Sequence, residues 1–238
     1  MAERKVISAI TDDDPEELYK AAANTIKRAI KDILEKRNYA VLAVPGGRTV
    51  PKVFEQLKGM DIPWLQVHIF IVDERLVPID DELSNFRLAK ETFIDELIDS
   101  GKLPKENAHP FIYKETMPGK GIRAYEKELK VLGDSYDIVL LSAGEDGHVG
   151  ALYPDHHSID DDSEFFIRMD DSPKPPKDRM SMSRKLLLRS KTAVLLLIGE
   201  SKKQAYEKLV DMSISYRKCP AKLVLDIEDS YIITDQKE

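Results

Sequence analysis

The segment Ser142-Ala143-Gly144-Glu145-Asp146-Gly147-His148-Val149 places an acid and an imidazole two positions apart, directly after the apolar run Tyr136-Asp137-Ile138-Val139-Leu140-Leu141. The run reads as a buried strand, so Asp146 and His148 are delivered to the rim of a sheet, where open α/β proteins bind ligands. A free imidazole titrates near pH 6.5, which makes His148 the natural proton carrier of the chain near neutrality. The residues after it, Ala151-Leu152-Tyr153-Pro154, predict one or two helical turns with His148 at their start.

Two further strands end in polar residues of other kinds. After Tyr39-Ala40-Val41-Leu42-Ala43-Val44 come Pro45-Gly46-Gly47-Arg48-Thr49-Val50-Pro51 and a helix containing Lys52, Phe54 and Leu57. Paired glycines let backbone approach an anion, and free amides at the next helix N-terminus would point at it; a plain chain turn accounts for Gly46-Gly47 equally well. The spacing is neither that of a Walker loop nor that of a dinucleotide fingerprint, which disfavours nucleotide binding. After Val67-His68-Ile69-Phe70-Ile71-Val72 come Asp73-Glu74-Arg75. Here a guanidinium could stabilise an oxyanion and a carboxylate could hold hydroxyls, although the triplet alone reads more readily as a surface ion pair. Ser84-Asn85 reads as a helix cap that is free to touch a ligand as well. In Ser172-Pro173-Lys174-Pro175-Pro176-Lys177-Asp178-Arg179 the prolines would stiffen the chain and hold Lys174 and Arg179 as an anion clamp; by composition a proline-rich linker is the simpler reading. Met180-Ser181-Met182-Ser183-Arg184 then reads as a capped helix, which embeds the segment in the fold.

The elements that must position these groups alternate. A helix over residues 14–37 opens with Asp14-Pro15-Glu16-Glu17 and repeats Leu18, Ala22, Ile26, Ala29 and Ile33 at helical spacing. Strands over 39–44, 67–72, 136–141 and 192–198 are interleaved with helices near 85–98, 121–132 and 202–211. The 39–44 strand is apolar on both faces and reads as central. The expected fold class is α/β, a mostly parallel sheet with helices on both faces, in one domain over residues 1–238. Leu223-Val224-Leu225-Asp226 and Tyr231-Ile232-Ile233 read as structural.

Composition limits the partners. With 36 basic and 43 acidic residues the net charge is −7, which argues against a general nucleic-acid surface. The single cysteine, Cys219, forms no internal disulfide, and it reads as an inert thiol. Met1-Ala2-Glu3-Arg4-Lys5 leads into no long apolar run, so a soluble, cytoplasmic protein without a membrane partner is expected. Ser142 lacks the nucleophile elbow Gly-x-Ser-x-Gly. His156-His157, among Asp155, Asp160, Asp161 and Asp162, lacks zinc-ligand spacing and reads as a solvated acidic loop. Trp64 reads as packing the start of a strand.

Taken in order, Gly46-Gly47-Arg48-Thr49, Asp73-Glu74-Arg75, Ser84-Asn85, Gly144-Glu145-Asp146-Gly147-His148 and Ser172-Pro173-Lys174-Pro175-Pro176 with Arg179 resemble the 6-phosphogluconolactonase family. These are sugar-phosphate lactonases related to glucosamine-6-phosphate deaminase, and the resemblance runs from Val44 to about Gly199. It implies a Rossmann-like sheet similar to the deaminase fold and hydrolysis of 6-phospho-D-glucono-1,5-lactone. The deaminase branch carries Phe-Asn-Glu after the histidine, where this chain has Leu152-Tyr153, and it favours Asp-Glu-Tyr over Asp73-Glu74-Arg75. The chain departs from the lactonase pattern at Arg48, Val149, Gly150 and Tyr153.

For such a reaction His148 is the expected base, Asp146 its orienting acid, Arg75 the oxyanion stabiliser and Asp73 the holder of Arg75 or of a hydroxyl. Gly46, Gly47, Thr49, Lys174 and Arg179 are expected to bind the distal phosphate, with Arg48 and Asn85 as further substrate contacts. No metal or cofactor is required. An amino-sugar-phosphate deaminase and a non-catalytic sugar-phosphate sensor are the competing classes.

Overall fold

The computed structural model describes residues 8–237; the stretch 1–5 read above lies outside the described residues. The first helix, α1 (Pro15–Leu34), starts where its signals place it: Asp14 accepts a hydrogen bond from Glu16 N, with Pro15 in the first turn. It buries Leu18, Ala22, Ile26, Ile30 and Ile33 against the sheet.

That sheet has seven parallel strands: β1 (Ser8–Thr11), β2 (Ala40–Val44), β3 (Val67–Ile71), β5 (Ala108–His109), β6 (Ile138–Ser142), β9 (Thr192–Leu197) and β10 (Asp229–Thr234), in the spatial order β1-β10-β9-β6-β2-β3-β5. Alternation along each strand divides the core between the two faces. Ala40, Leu42, Val44, Ile138, Leu140, Val194 and Leu196 face α1, α2 (Val50–Lys58) and the helical stretch that begins with α3 (Asn85–Ala89) and ends with α4 (Asp95–Asp99). Val41, Ala43, Val139, Leu141, Ala193 and Leu195 face α5 (Ile122–Val131), α6 (Arg184–Leu188) and α7 (Lys203–Val210). The expected parallel sheet with two helical layers is borne out, and β2 is fully buried between β3 and β6.

Several elements differ from expectation. Edge strands β1 and β5 are too short to show a period in sequence. Residues 73–75 and 179–182 do not extend the main sheet or open a helix. They are β4 (Asp73–Arg75) and β8 (Arg179–Met182), which with β7 (Phe166–Met169) form a three-stranded antiparallel sheet. Only Ser183 onward is helical, with Ser183 Oγ accepting from Leu186 N. The 85–98 helix contains a π-helical turn over Lys90–Ile94. His148 does not open a helix: the chain turns tightly and closes a bridge between Val149 and Leu152. Among the described residues no helix is long and apolar enough to cross a membrane.

Candidate active site

From β2 the chain moves outward to β3 and β5, then returns to the other side of β2 to lay down β6 and β9. The strand order therefore reverses between β2 and β6, and loops leaving these two strands diverge and leave a crevice. A cleft of about 920 Å³ opens there, lined by Gly46, Gly47, Arg48, Thr49, Asp73, Arg75, Asn85, His148, Lys174 and Arg179 among others. Ten of the eleven residues singled out from sequence thus share one wall or another of a single cleft. The eleventh, Asp146, touches two of them.

Asp146 Oδ1 lies 2.6 Å from His148 Nδ1 and 3.1 Å from the His148 backbone N–H. The carboxylate therefore favours the tautomer with hydrogen on Nδ1 and leaves Nε2 as the basic nitrogen. Burial works to raise the Asp146 carboxyl, but the bonds from His148 and the charges of His148 and Lys174 outweigh it and hold the group well below the usual carboxylate range. The pair needs two special backbone positions. A Cβ on Gly144 would sit 2.1 Å from His148 Nδ1, and Gly147, at φ 94°, brings the turn against the buried Cys219. The His148 ring packs on Tyr153, centroids 4.9 Å apart.

The opposite wall is β4. Alternation sends Asp73 and Arg75 toward the cleft and turns Glu74 inward, where its carboxylate accepts from Arg75 N, Asn85 N, Phe86 N and Ser84 Oγ at 2.7–3.0 Å. Burial pushes the Glu74 carboxyl up while the three backbone N–H groups pull it back. Glu74 thus anchors the start of α3. Asn85 donates to Asp73 O (2.7 Å) and lies 3.3 Å from Asp73 Oδ2, and a Cβ on Gly46 would fall 1.9 Å from Asn85 Oδ1. Gly46 is therefore required by side-chain packing, apart from any backbone approach to an anion. Arg75 donates through Nη1 to Leu83 O (2.6 Å), and its Nε is buried without a hydrogen-bond partner.

The cations fall into two groups that the sequence did not distinguish. Arg179 pairs in register with Arg75 across β4 and β8. It is 4 % exposed, and its Nε and Nη2 donate to Pro176 O (2.9 Å) and Pro175 O (2.8 Å), with Nη1 3.8 Å from Asp73 Oδ2. The arginine and the proline segment thus hold each other, and the third guanidinium nitrogen, Nη1, faces Asp73. Lys174 lies instead beside the imidazole pair, 3.5 Å from Asp146 Oδ2. Near it are Arg48, loosely paired with Glu145 at 3.5 Å, and Lys202, which sequence reading missed. Burial lowers the Lys202 pKa; Arg48 and Lys174 lower it further, and Glu145 and Asp146 oppose them. The available signal was positional: Gly199-Glu200-Ser201-Lys202 follows the β9 strand as the other motifs follow theirs.

Thr49 Oγ1 lies 3.3 Å from Ser142 Oγ at the start of α2. Ser142 lines the cleft without a histidine partner. Cys219 is buried, and burial raises its thiol pKa. Trp64 packs on Phe93 ahead of β3, as expected. The acids near His156-His157 are engaged elsewhere: Asp155 with Lys218, Asp160 with Arg217 and Asp162 with Lys185.

A parallel α/β sheet whose switch point carries an imidazole–carboxylate pair between two groups of cations defines a protein that acts on a small anionic ligand. Comparison with known proteins narrows the class. The chain belongs to the glucosamine-6-phosphate isomerase/6-phosphogluconolactonase family, whose sequence model, described as "Glucosamine-6-phosphate isomerases/6-phosphogluconolactonase", matches residues 13–233. It is 30% identical over 224 residues to a 6-phosphogluconolactonase of Borreliella burgdorferi, covering 92% of this chain and 95% of the relative. The crystal structure of a 6-phosphogluconolactonase from Thermotoga maritima matches with a TM-score of 0.80 at 27% identity, covering 96% of this chain and 98% of the other. One from Shewanella baltica shares the fold with a TM-score of 0.82 at 24% identity, covering 97% of each chain.

Proposed function

We propose that the chain hydrolyses 6-phospho-D-glucono-1,5-lactone to 6-phosphogluconate, with His148 as general base. The observation that carries this reading is the 2.6 Å bond between Asp146 and His148 Nδ1, which leaves Nε2 basic in a cleft rich in cations. Relatives named 6-phosphogluconolactonase at similar length support the substrate.

The phosphate lies against Gly46, Gly47 and Thr49 at the start of α2, with Lys174, Lys202 and Arg48 supplying charge and Arg179 one further donor. This assigns Lys202 a role beside the residues expected from sequence and reduces that of Arg179. His148 Nε2 takes a proton from water as the water oxygen bonds to the acyl carbon. Arg75, held by Leu83 O, stabilises the resulting oxyanion, and Asp73, fixed by Asn85 and beside Arg179, accepts from a ring hydroxyl. Collapse of the intermediate breaks the bond from the acyl carbon to the ring oxygen, which receives the proton from His148. Asp146 stays ionised throughout and stabilises the transient imidazolium. These steps use side chains alone.

Acid release from freshly prepared lactone, measured against a no-enzyme control, tests the reading, with ammonia release from glucosamine 6-phosphate as the counter-assay. The expected result is saturable acid release that His148→Ala lowers by at least about 10²-fold in kcat. Ammonia release, or His148→Ala with parental kcat, would overturn it.

A further inference from the structure

Tyr153 has a second imidazole neighbour. Three residues further along the chain, His156 meets the Tyr153 ring edge-on at 5.8 Å and packs on His157 at 4.2 Å with the rings tilted by 37°. The Nε2 atoms of both histidines converge on Asp171: His157 Nε2 is 2.9 and 3.1 Å from the two carboxylate oxygens, and His156 Nε2 is 3.4 Å from Oδ1. All three ligand atoms lie within 4.8 Å of one another. His156 Nε2 is enclosed and forms no hydrogen bond, an uncommon state for a buried polar atom.

We propose that His156, His157 and Asp171 form a site for a divalent transition-metal ion of the zinc type, and that the ion fastens the loop carrying Lys174 to the segment after Tyr153. Two imidazoles and one carboxylate with an open position form a zinc-type donor set. Metal–ligand bonds of about 2.0–2.2 Å place neighbouring donors about 3.3 Å apart in a tetrahedral site. The two distances to Asp171 Oδ1 bracket that value. His157 and Asp171 are each 56% exposed, so they can close the remaining gap and water can complete the coordination.

The surroundings fit as well. Ser158 Oγ, 3.0 Å from His156 Nδ1, can accept the Nδ1 hydrogen that metal ligation at Nε2 requires, at the expense of the longer 3.2 Å contact from Ser158 N. The nearby acids already paired with lysine or arginine are not needed. Asp171 pairs only with the two histidines among the described residues. From Asp171 the chain reaches Ser172, whose Oγ lies 3.0 Å from Tyr153 Oη and 2.8 Å from Lys174 O. An ion at this site therefore ties the loop on which Lys174 stands, through Asp171, to the His156-His157 segment.

The test strips the full-length protein of metal and titrates Zn²⁺ against a chromophoric chelator near neutral pH. Expected is one tightly bound ion per chain, weakened by about tenfold or more in His157→Ala and in Asp171→Asn, both surface positions. Zinc should raise the thermal midpoint of the parent but not of these variants, and should slow hydrogen exchange at the Lys174 amide. His148→Ala should keep the parental zinc affinity. Absence of binding, equal affinity in the parent and both surface variants, loss of binding in His148→Ala, or unchanged exchange at Lys174 would each overturn the proposal.

Discussion

Gly144→Ala perturbs the site without touching an ionisable group. Gly144 does not occupy the left-handed region, so alanine meets no backbone penalty there. Its Cβ, however, would lie 2.0 Å from His148 Cε1, 2.1 Å from Nδ1 and 2.8 Å from Asp146 Oδ1. The turn cannot yield easily, because Gly144 N donates to His148 O (2.8 Å) and Gly144 O accepts from Gly147 N (3.0 Å). The ring must therefore retreat by about 1.4 Å to reach ordinary contact, and a misplacement of roughly 1 Å costs about 10²-fold in rate. That is about 2.7 kcal/mol of barrier. The ring is at the cleft wall and can swing into open space, so stability should change by less than about 1 kcal/mol. The assay is kcat for lactone hydrolysis beside thermal unfolding, with Gly59→Ala as control, since a Cβ there meets nothing closer than 3.6 Å. A folded Gly144→Ala enzyme with kcat close to the parent's would refute the claim that the Asp146–His148 geometry limits the rate.

Gly46→Ala should cost about 1–3 kcal/mol in urea unfolding, because it displaces the buried Asn85 from Asp73; an unchanged midpoint would count against the packing reading. Lys202→Ala should raise KM by the equivalent of about 1.5–3 kcal/mol with little change in kcat, as expected for a charge-assisted phosphate contact, whereas a loss confined to kcat would move Lys202 to the reacting end. For His68, burial first, then the charges of His109 and Arg37, lower the pKa to about 4 from 6.5. His109 in turn faces Glu128 at 2.9 Å. The unfolded chain then binds the proton more readily, so this contribution to stability is full above about pH 6.5 and is lost as pH falls toward 4. Unfolding midpoints of the parent and His68→Gln should converge over that interval; a constant difference would sink the assignment.

The parts of the site that were readable from sequence are those in which a motif follows its own strand. Gly46-Gly47, Asp73-Glu74-Arg75 and Asp146-His148 each come after an apolar run whose length and flanks mark a parallel strand, and parallel strands gather their C-terminal ends on one edge. The Asp146–His148 contact is only two residues long and needed no tertiary information. The roles within Asp73-Glu74-Arg75 were less legible: assignment of Glu74 to the helix cap depends on the pleat of a three-residue strand, too short to show a period.

What the chain order could not convey were pairings between distant segments. Nothing local says that Arg179 grips two proline carbonyls opposite Arg75, that Lys202 joins Lys174 across the cleft, or that the acid beside His156 and His157 is Asp171 rather than its nearer neighbours. By itself the sequence determined a parallel α/β sheet, the loops that crown it and the proton-carrying pair, because these follow from hydrophobic period and short-range spacing. Only the tertiary structure decided which cations act together and which carboxylate meets which imidazole, because those partnerships depend on strand order and antiparallel register between segments far apart in the chain.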